Sequence, residues 1–328
     1  MRASFTNGAS FDLDAYASHS SNARPPTSSV NVESAGSTRA SLVTVPVGSD
    51  GGVMLYTNAG THLVADVAGY FTSETSSRDG RFVGQAPTRL LDTRPTSLVG
   101  YSGAKPGVGS TVSMTVAGRA GVPSTGAPAV VLNVTATEAS APGFVTVWPG
   151  GAARPNASNI NLEAAGQTRP NQVIVPLGRN GTVQLFVQNG AHLVVDVAGY
   201  FTDGAAGVSG SGLFIPATPI RILDTRPESA VGYSGSRPGP GAVVSVPAGA
   251  IGGGVVLTAT MTQSAAAGFV TVWPSGGGLP VASNLNADGP GRTSSNHVIS
   301  AAGAGGSISL YTSAGSDLIV DLTGRFRP

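Results

Sequence analysis

The stretch that decides the fold is His192–Phe201, which reads His-Leu-Val-Val-Asp-Val-Ala-Gly-Tyr-Phe. From Leu193 to Val197 large aliphatic residues occupy every second position, the period typical of a β-strand that faces a core. The stretch also occurs earlier, at residues 62–71, and a degraded copy follows at residues 317–326. The chain is therefore predicted to contain three homologous blocks that each end in this strand.

Further motifs recur between the two later blocks. They are Arg89–Pro95 with Arg221–Pro227, Gly143–Pro149 with Gly268–Pro274, and Ala157–Asn161 with Ala282–Asn286. Repeats at domain-sized spacing predict separate domains and exclude a short-period solenoid.

Two polar or glycine-rich stretches, Ser73–Gly80 and Asp203–Gly212, have the composition of linkers. They divide the chain into unit one (1–72), unit two (81–202) and unit three (213–328). Unit one lacks the Arg-Leu-Leu-Asp-Thr-Arg motif and the strand that follows it, so we expect it to be incomplete.

The fold class predicted from these patterns is all-β, with tandem β-sandwich domains of jelly-roll-like type. The turn signals Asn180-Gly181 and Asn189-Gly190 predict hairpins, and no segment shows clean helical periodicity. The eight strands predicted for unit two centre on Arg89–Arg94, Thr111–Val116, Ala129–Thr137, Phe144–Trp148, Asn159–Leu162, Gln172–Pro176, Val183–Val187 and His192–Phe201.

The composition excludes several classes of function. Charged residues make up only 11% of the chain and the net charge is +1, which argues against phosphate-neutralising nucleic-acid binders and polybasic membrane anchors. There is no cysteine, and no apolar run approaches the length of a membrane helix. No apolar signal-peptide region is visible after Met1.

Taken together, the motifs resemble a repeat module of secreted and cell-surface proteins from actinobacteria and their relatives. The resemblance is carried by Arg89–Arg94, Val130–Thr137, Gly143–Pro149, Ser158–Asn161 and the closing His192–Phe201. It covers units two and three fully and the later part of unit one. It implies an extracellular or cell-surface location and an accessory role in tandem arrays or beside hydrolases, and it supplies no catalytic residues.

The repeated aspartates Asp66, Asp196 and Asp321 stand inside apolar strands. A carboxylate in such a place needs a cation or several hydrogen-bond donors, because a buried unpaired charge is costly. We expect Asp196 to pair with Arg89 or Arg94. In unit three we expect Asp321 to pair with Arg221 or Arg226. These residues are predicted to form internal ion pairs and not a catalytic site.

Other features argue against an enzyme. His192 and Asp196 lie four residues apart on one strand face, about 13 Å, which is too far for a base and its orienting carboxylate. Unit three has Asp317 at the position of His192. Nucleophile-elbow, phosphate-loop and zinc-protease motifs do not occur, so no cofactor or metal is predicted.

Four aromatic residues are the candidates for binding a polysaccharide: Trp148, Trp273, Tyr101 and Tyr233. Aromatic faces stack on apolar sugar faces, and the tyrosines lie in Gly-Tyr-Ser-Gly loops that are well placed for contact. Large aromatics more often fill a core or an interface, and for the tryptophans this alternative is favoured.

The incomplete unit one suggests an exposed sheet edge that invites strand addition, and self-association into a fibre is one hypothesis. N-terminal truncation, or a smaller six-stranded domain, is the favoured explanation. The sequence as a whole predicts a non-catalytic structural or adhesive surface protein. A carbohydrate-binding appendage and a virion structural protein stay open as alternatives.

Overall fold

The computed structural model describes residues 2–5, 11–18, 24–72, 78–207 and 210–328. This part of the chain is all-β and forms tandem β-sandwiches, which confirms the predicted fold class. Its helical content is limited to short 3-10 turns at Arg179–Gly181, Pro227–Ser229 and Ala304–Gly306. Positions 73–77 and 208–209 of the two predicted linkers lie outside the described residues.

Unit one contributes six strands to the described structure. They are β1 (Arg2–Phe5), β2 (Phe11–Ala17), β3 (Val30–Val32), β4 (Thr38–Ala40), β5 (Val53–Thr57) and β6 (Thr61–Val64). They form two three-stranded antiparallel sheets, ordered β4-β1-β6 and β3-β2-β5.

Unit two contains eight strands. They are β7 (Phe82–Asp92), β8 (Val108–Thr115), β9 (Ala129–Thr137), β10 (Gly143–Pro149), β11 (Ile160–Leu162), β12 (Arg169–Pro176), β13 (Thr182–Asn189) and β14 (His192–Phe201). Two four-stranded antiparallel sheets result, ordered β12-β9-β14-β7 and β11-β10-β13-β8.

Unit three repeats this architecture. Its strands are β15 (Phe214–Asp224), β16 (Ala242–Pro247), β17 (Gly254–Thr262), β18 (Gly268–Pro274), β19 (Leu285–Ala287), β20 (Ser294–Ala301), β21 (Ser307–Thr312) and β22 (Asp317–Phe326). The sheets are ordered β15-β22-β17-β20 and β16-β21-β18-β19.

The two Asn-Gly turns of unit two do not close hairpins, so that prediction is wrong. The turn Arg179–Gly181 joins β12 to β13, and Asn189-Gly190 joins β13 to β14, yet β13 lies in a different sheet from both neighbours. Asn180 and Gly181 do adopt the positive φ of 56° and 65° that such residues favour. The tight reversal here carries the chain across the sandwich instead of along one sheet.

The sandwich core of unit two follows the alternation of the sequence. In β8, Val112 and Met114 are buried whereas Thr111 and Ser113 are exposed. The strand β14 differs, because nearly all of its side chains are buried. One face of β14 points into the sandwich core, and the other packs near the neighbouring units.

An aromatic cluster lies where the three units meet. Phe71, Phe201 and Phe326, the last residues of the three repeated closing stretches, have ring centroids 5.9, 5.9 and 6.1 Å apart. Phe82 and Phe214 pack against Phe326 at 4.5 and 5.3 Å. The closing motif of each unit thus contributes one ring to a shared junction.

The strands of unit one match six strands of the later units by order and pairing. β1 to β6 correspond to β9 to β14, because β1 and β9 each pair with the strand of the closing motif. The described residues of unit one contain no counterpart of β7 and β8, which form the outer edges of the two sheets in unit two. Unit one is therefore a sandwich without one edge strand on each sheet.

Candidate functional site

A buried chain of ion pairs joins the first and last strands of unit two. The Arg89 Nε donates to Asp196 Oδ1 at 2.5 Å, and its Nη1 donates to Asp92 Oδ2 at 2.7 Å. Arg94 holds Asp92 from the other side, with its Nη2 at 2.6 Å and its Nε at 3.0 Å. Asp92 and Asp196 are both almost fully buried, so one arginine bridges two carboxylates removed from solvent.

Unit three contains the same chain of ion pairs. Arg221 donates to Asp321 from Nε at 2.9 Å and from Nη2 at 3.1 Å. Its Nη1 lies 3.1 Å from Asp224 Oδ2, and Arg226 Nη2 lies 2.7 Å from the same oxygen. The arrangement is therefore a property of the repeat and not of one unit.

Strand register determines which arginine reaches the repeated aspartate. β7 pairs with β14 so that Arg89 stands directly opposite Asp196, and Arg221 stands opposite Asp321 in the same way. Arg94 follows the end of β7 and folds back onto Asp92, two residues before it. The motif Arg-Leu-Leu-Asp-Thr-Arg thus contains both cations and the second carboxylate.

The two carboxylates of each chain have opposite pKa shifts. Burial raises the pKa of Asp92, but the hydrogen bonds and charge of Arg94 outweigh burial and the net pKa lies below the ordinary value. For Asp196 burial outweighs the hydrogen bond from Arg89, and the pKa is raised. The same two directions hold for the equivalent residues, Asp224 and Asp321.

Two of the histidines, His192 and His297, are also engaged inside the fold, whereas His62 is exposed and His19 lies outside the described residues. His192 Nδ1 lies 3.0 Å from the Thr93 hydroxyl, and unit three places Asp317 there, where it accepts from the Thr225 hydroxyl at 3.1 Å. Burial lowers the pKa of His297 to about 3, so this ring is neutral at physiological pH. Within the part of the chain that the structure describes, no group of three or more His, Asp or Glu could hold a metal ion.

The tryptophans do not form an exposed platform. Trp148 and Trp273 are each 5% exposed, and their indole groups donate to the carbonyls of Ala152 and Gly277 at 3.0 and 3.1 Å. Although Val145 and Val147 face the sandwich core, the opposite face of the strand is also covered. A following loop lies over it, so a role for these rings in stacking on a sugar does not fit their burial.

The tyrosines lie closer to solvent. Tyr101 and Tyr233 are half-buried against the cores of their units, and their hydroxyls donate to Ala104 O and Ser236 O, each at 2.8 Å. A side chain at Gly103 would meet the Tyr101 hydroxyl at 2.7 Å, so the small residue allows the loop to close on the ring. Each tyrosine therefore holds its own loop while part of its ring remains accessible.

Three arginine–carboxylate pairs connect the units in cyclic order, and we call these six residues the interunit ring. They are Arg39–Glu163 between units one and two (2.5 Å), Arg169–Asp288 between units two and three (2.7 Å), and Arg292–Glu33 between units three and one (3.7 Å). Five of these residues, all but Glu163, line a small cavity. Burial and the charge of Arg39 lower the pKa of Arg169.

Amide side chains add to the contact between units two and three. Gln172 accepts from the backbone N–H of Ile299 at 2.5 Å and donates to the carbonyl of the same residue at 3.2 Å. Asn133 donates to the carbonyl of Ser283 at 2.7 Å. These bonds explain why polar residues occur on the outward faces of otherwise apolar strands.

The interunit ring was not predicted, although the sequence contains a signal for it. In each unit an acidic residue follows directly after a three-residue strand, and an arginine follows a few positions later. Alignment of the repeats does not reveal this pattern, because the acid is glutamate in two units and aspartate in the third. The arginine also lies closer to the acid in unit three than in the other two units. Pairing across units also needs the arrangement of the domains, which no single repeat encodes.

The comparisons with known proteins name no family. No family model matches the chain, and no curated protein matches it. Among solved structures, the chain is similar to the N-terminal CBM22-1-CBM22-2 tandem domain of Xyn10C from Paenibacillus barcinonensis, with 12% sequence identity and a TM-score of 0.19. That match covers 75% of this chain and 100% of the other. Among the described residues, no helix is long and apolar enough to cross a membrane.

Proposed function

We propose that this chain is a non-catalytic structural or adhesive component of an extracellular or cell-surface assembly. The observation that carries the proposal is the interunit ring, which ties three sandwiches into one closed block. In units two and three the arginines and aspartates of the repeated motifs form internal ion pairs, which fits a structural role better than a catalytic one. The resemblance to a repeat module of secreted and cell-surface proteins supports the location.

Assembly is proposed to run through unit one, because its described residues form two sheets that each lack the edge strand supplied by β7 or β8 in unit two. Sedimentation of the full chain over a wide concentration range, with electron microscopy at the upper end, tests self-association. We expect larger species that grow with concentration, and we expect Val67→Asp to reduce them. The matched control is Val281→Asp in unit three, since Val67 and Val281 are 90% and 83% exposed. A single species of monomer mass at every concentration would reject self-association.

Polysaccharide binding is a second candidate, favoured by the accessible ring parts of Tyr101 and Tyr233 in equivalent loops. Co-sedimentation with insoluble cell-wall and plant polysaccharides tests it. Retention of the wild-type chain that is lost in the double variant Tyr101→Ala, Tyr233→Ala supports this function, provided that circular dichroism shows a folded variant. Absence of retention on every polymer rejects it.

A further inference from the structure

A second cavity lies next to the one inside the interunit ring, and we call it the arginine cavity. It shares Arg39, Arg169 and Ser294 with the first cavity and has a volume of about 30 Å³. Its walls come from β3 and β4 of unit one, β11 and β12 of unit two, and β20 of unit three. A space of this size holds about one or two groups as large as a water molecule.

The charge around the arginine cavity is positive. Among the described residues that line it, the charged ones are Arg39 and Arg169, and there is no carboxylate. Their partners Glu163 and Asp288 accept from the Nη1 atoms at 2.5 and 2.7 Å and do not line this cavity. Burial, and after it the charge of Arg39, lowers the pKa of Arg169, so the two cations repel each other across a partly desolvated space.

Arg169 also has a donor that the protein does not use. Its Nη1 donates to Asp288 and to the carbonyl of Thr168, the latter at 3.0 Å. Its Nε is buried and has no hydrogen-bond partner in the part of the chain that the structure describes. A buried donor without a protein partner is rare, because leaving it unpaired is costly, and a bound water or ion is the usual explanation.

Two neutral side chains add further donors to the cavity wall. Asn161 Oδ1 accepts from the Ser158 hydroxyl at 3.3 Å, which leaves the amide nitrogen of Asn161 to donate. Ser295 Oγ accepts from the backbone N–H of Asn31 at 3.1 Å, so its hydroxyl hydrogen can also point to a ligand. A ligand that only accepts hydrogen bonds suits these groups.

The space beside the two guanidinium groups has its origin in the repeat. Arg169 in β12 stands opposite Ala136, and Ser294 in β20 stands opposite Met261, at the same register in units two and three. Unit three therefore has a serine at the position where unit two has an arginine. The shorter side chain leaves room at this position and keeps a hydroxyl group.

We propose that the arginine cavity binds a monovalent anion of the size of chloride, which bridges Arg39 of unit one and Arg169 of unit two. The anion would accept hydrogen bonds from the donors and offset the repulsion between the two cations. A tetrahedral oxyanion needs more room than the cavity offers. The arginine side chains are 16% and 14% exposed, so the ion can exchange with solvent. This inference depends neither on self-association nor on polysaccharide binding.

The test follows the chlorine-35 NMR line width of chloride added to the full chain at pH 7. Ionic strength is held constant with gluconate, which is too large for the cavity. We expect saturable broadening with the wild-type chain. Asn161→Asp keeps the side-chain shape but places a carboxylate in the wall, and it should weaken chloride binding at least about tenfold because like charges repel at this distance. The matched control is Asn156→Asp, the same charge change at an exposed residue before β11, which should bind chloride like the wild type.

Crystals of the wild-type chain soaked in bromide locate the ion without any variant. We expect an anomalous peak between Arg39 and Arg169. An ordered water at this position, or bromide found only elsewhere on the surface, would overturn the inference. Equal chloride broadening by the wild type and by a folded Asn161→Asp variant would overturn it as well.

Discussion

Replacing Arg89 by alanine would break the buried ion-pair chain of unit two at its centre. Asp196 and Asp92, which are 1% and 0% exposed, would each lose a guanidinium contact. Removing one partner of a buried pair costs about 3–5 kcal/mol, because the remaining charge is left uncompensated. Arg89 is itself 16% exposed and Arg94 still holds Asp92, so we expect the lower end, about 3 kcal/mol.

Chemical denaturation measures this loss, and hydrogen exchange locates it. The expected result for Arg89→Ala is a lower free energy of unfolding, with faster exchange confined mainly to β7 and β14. The matched control is Arg292→Ala, which removes a 3.7 Å contact from a side chain that is 56% exposed and should cost less than about 1 kcal/mol. If both variants lose the same small amount, the ion-pair chain does not stabilise the sandwich and the reasoning is refuted.

Three further predictions concern acidity, the junction and the tryptophans. Because the pKa of Asp92 lies below its ordinary value, its ionised form stabilises the fold above about pH 4 and loses this effect as the pH falls through the folded pKa. Asp92→Asn should therefore flatten the loss of stability below about pH 4, and an unchanged slope would contradict this. Phe326→Ala should lower the free energy of unfolding by about 3–5 kcal/mol, because removing a ring that is 1% exposed leaves a cavity at the junction. The control is Phe144→Ala, since Phe144 is half-buried and lies away from the junction cluster. An equal loss of stability in both variants would count against a special role for the junction. Native tryptophan fluorescence should be blue-shifted and resist acrylamide, since both indoles are 5% exposed, and strong quenching would contradict their burial.

The strands could be predicted because their signals are local. The alternation in Thr111–Val116 and the repeats of the closing motif depend only on neighbouring residues, and strands occur at both places. The incomplete first unit was also predictable, since its missing motif is visible when the repeats are aligned. The hairpins were wrong because an Asn-Gly turn specifies a reversal of the chain and not the sheet that the next strand joins.

The environment of the polar residues depended on tertiary arrangement. Nothing in the sequence distinguishes Arg89 from Arg94 as the partner of Asp196 until the register of β7 against β14 is known. The expectation favoured for the tryptophans, a covered position, agrees with the burial of Trp148, but the cover comes from a loop over the outer face of its strand, which the strand's own sequence does not show. The partners and the burial of such residues are determined by segments outside their own strand, which a local sequence pattern does not reveal.

The cyclic order of the three arginine–carboxylate pairs limits how a longer array could be built. Head-to-tail contacts that close into a ring leave no contact surface unpaired, whereas head-to-tail contacts that do not close continue as a helical filament. A fourth repeat could not enter this ring without displacing one of its pairs, so with the same contacts it would begin a second ring.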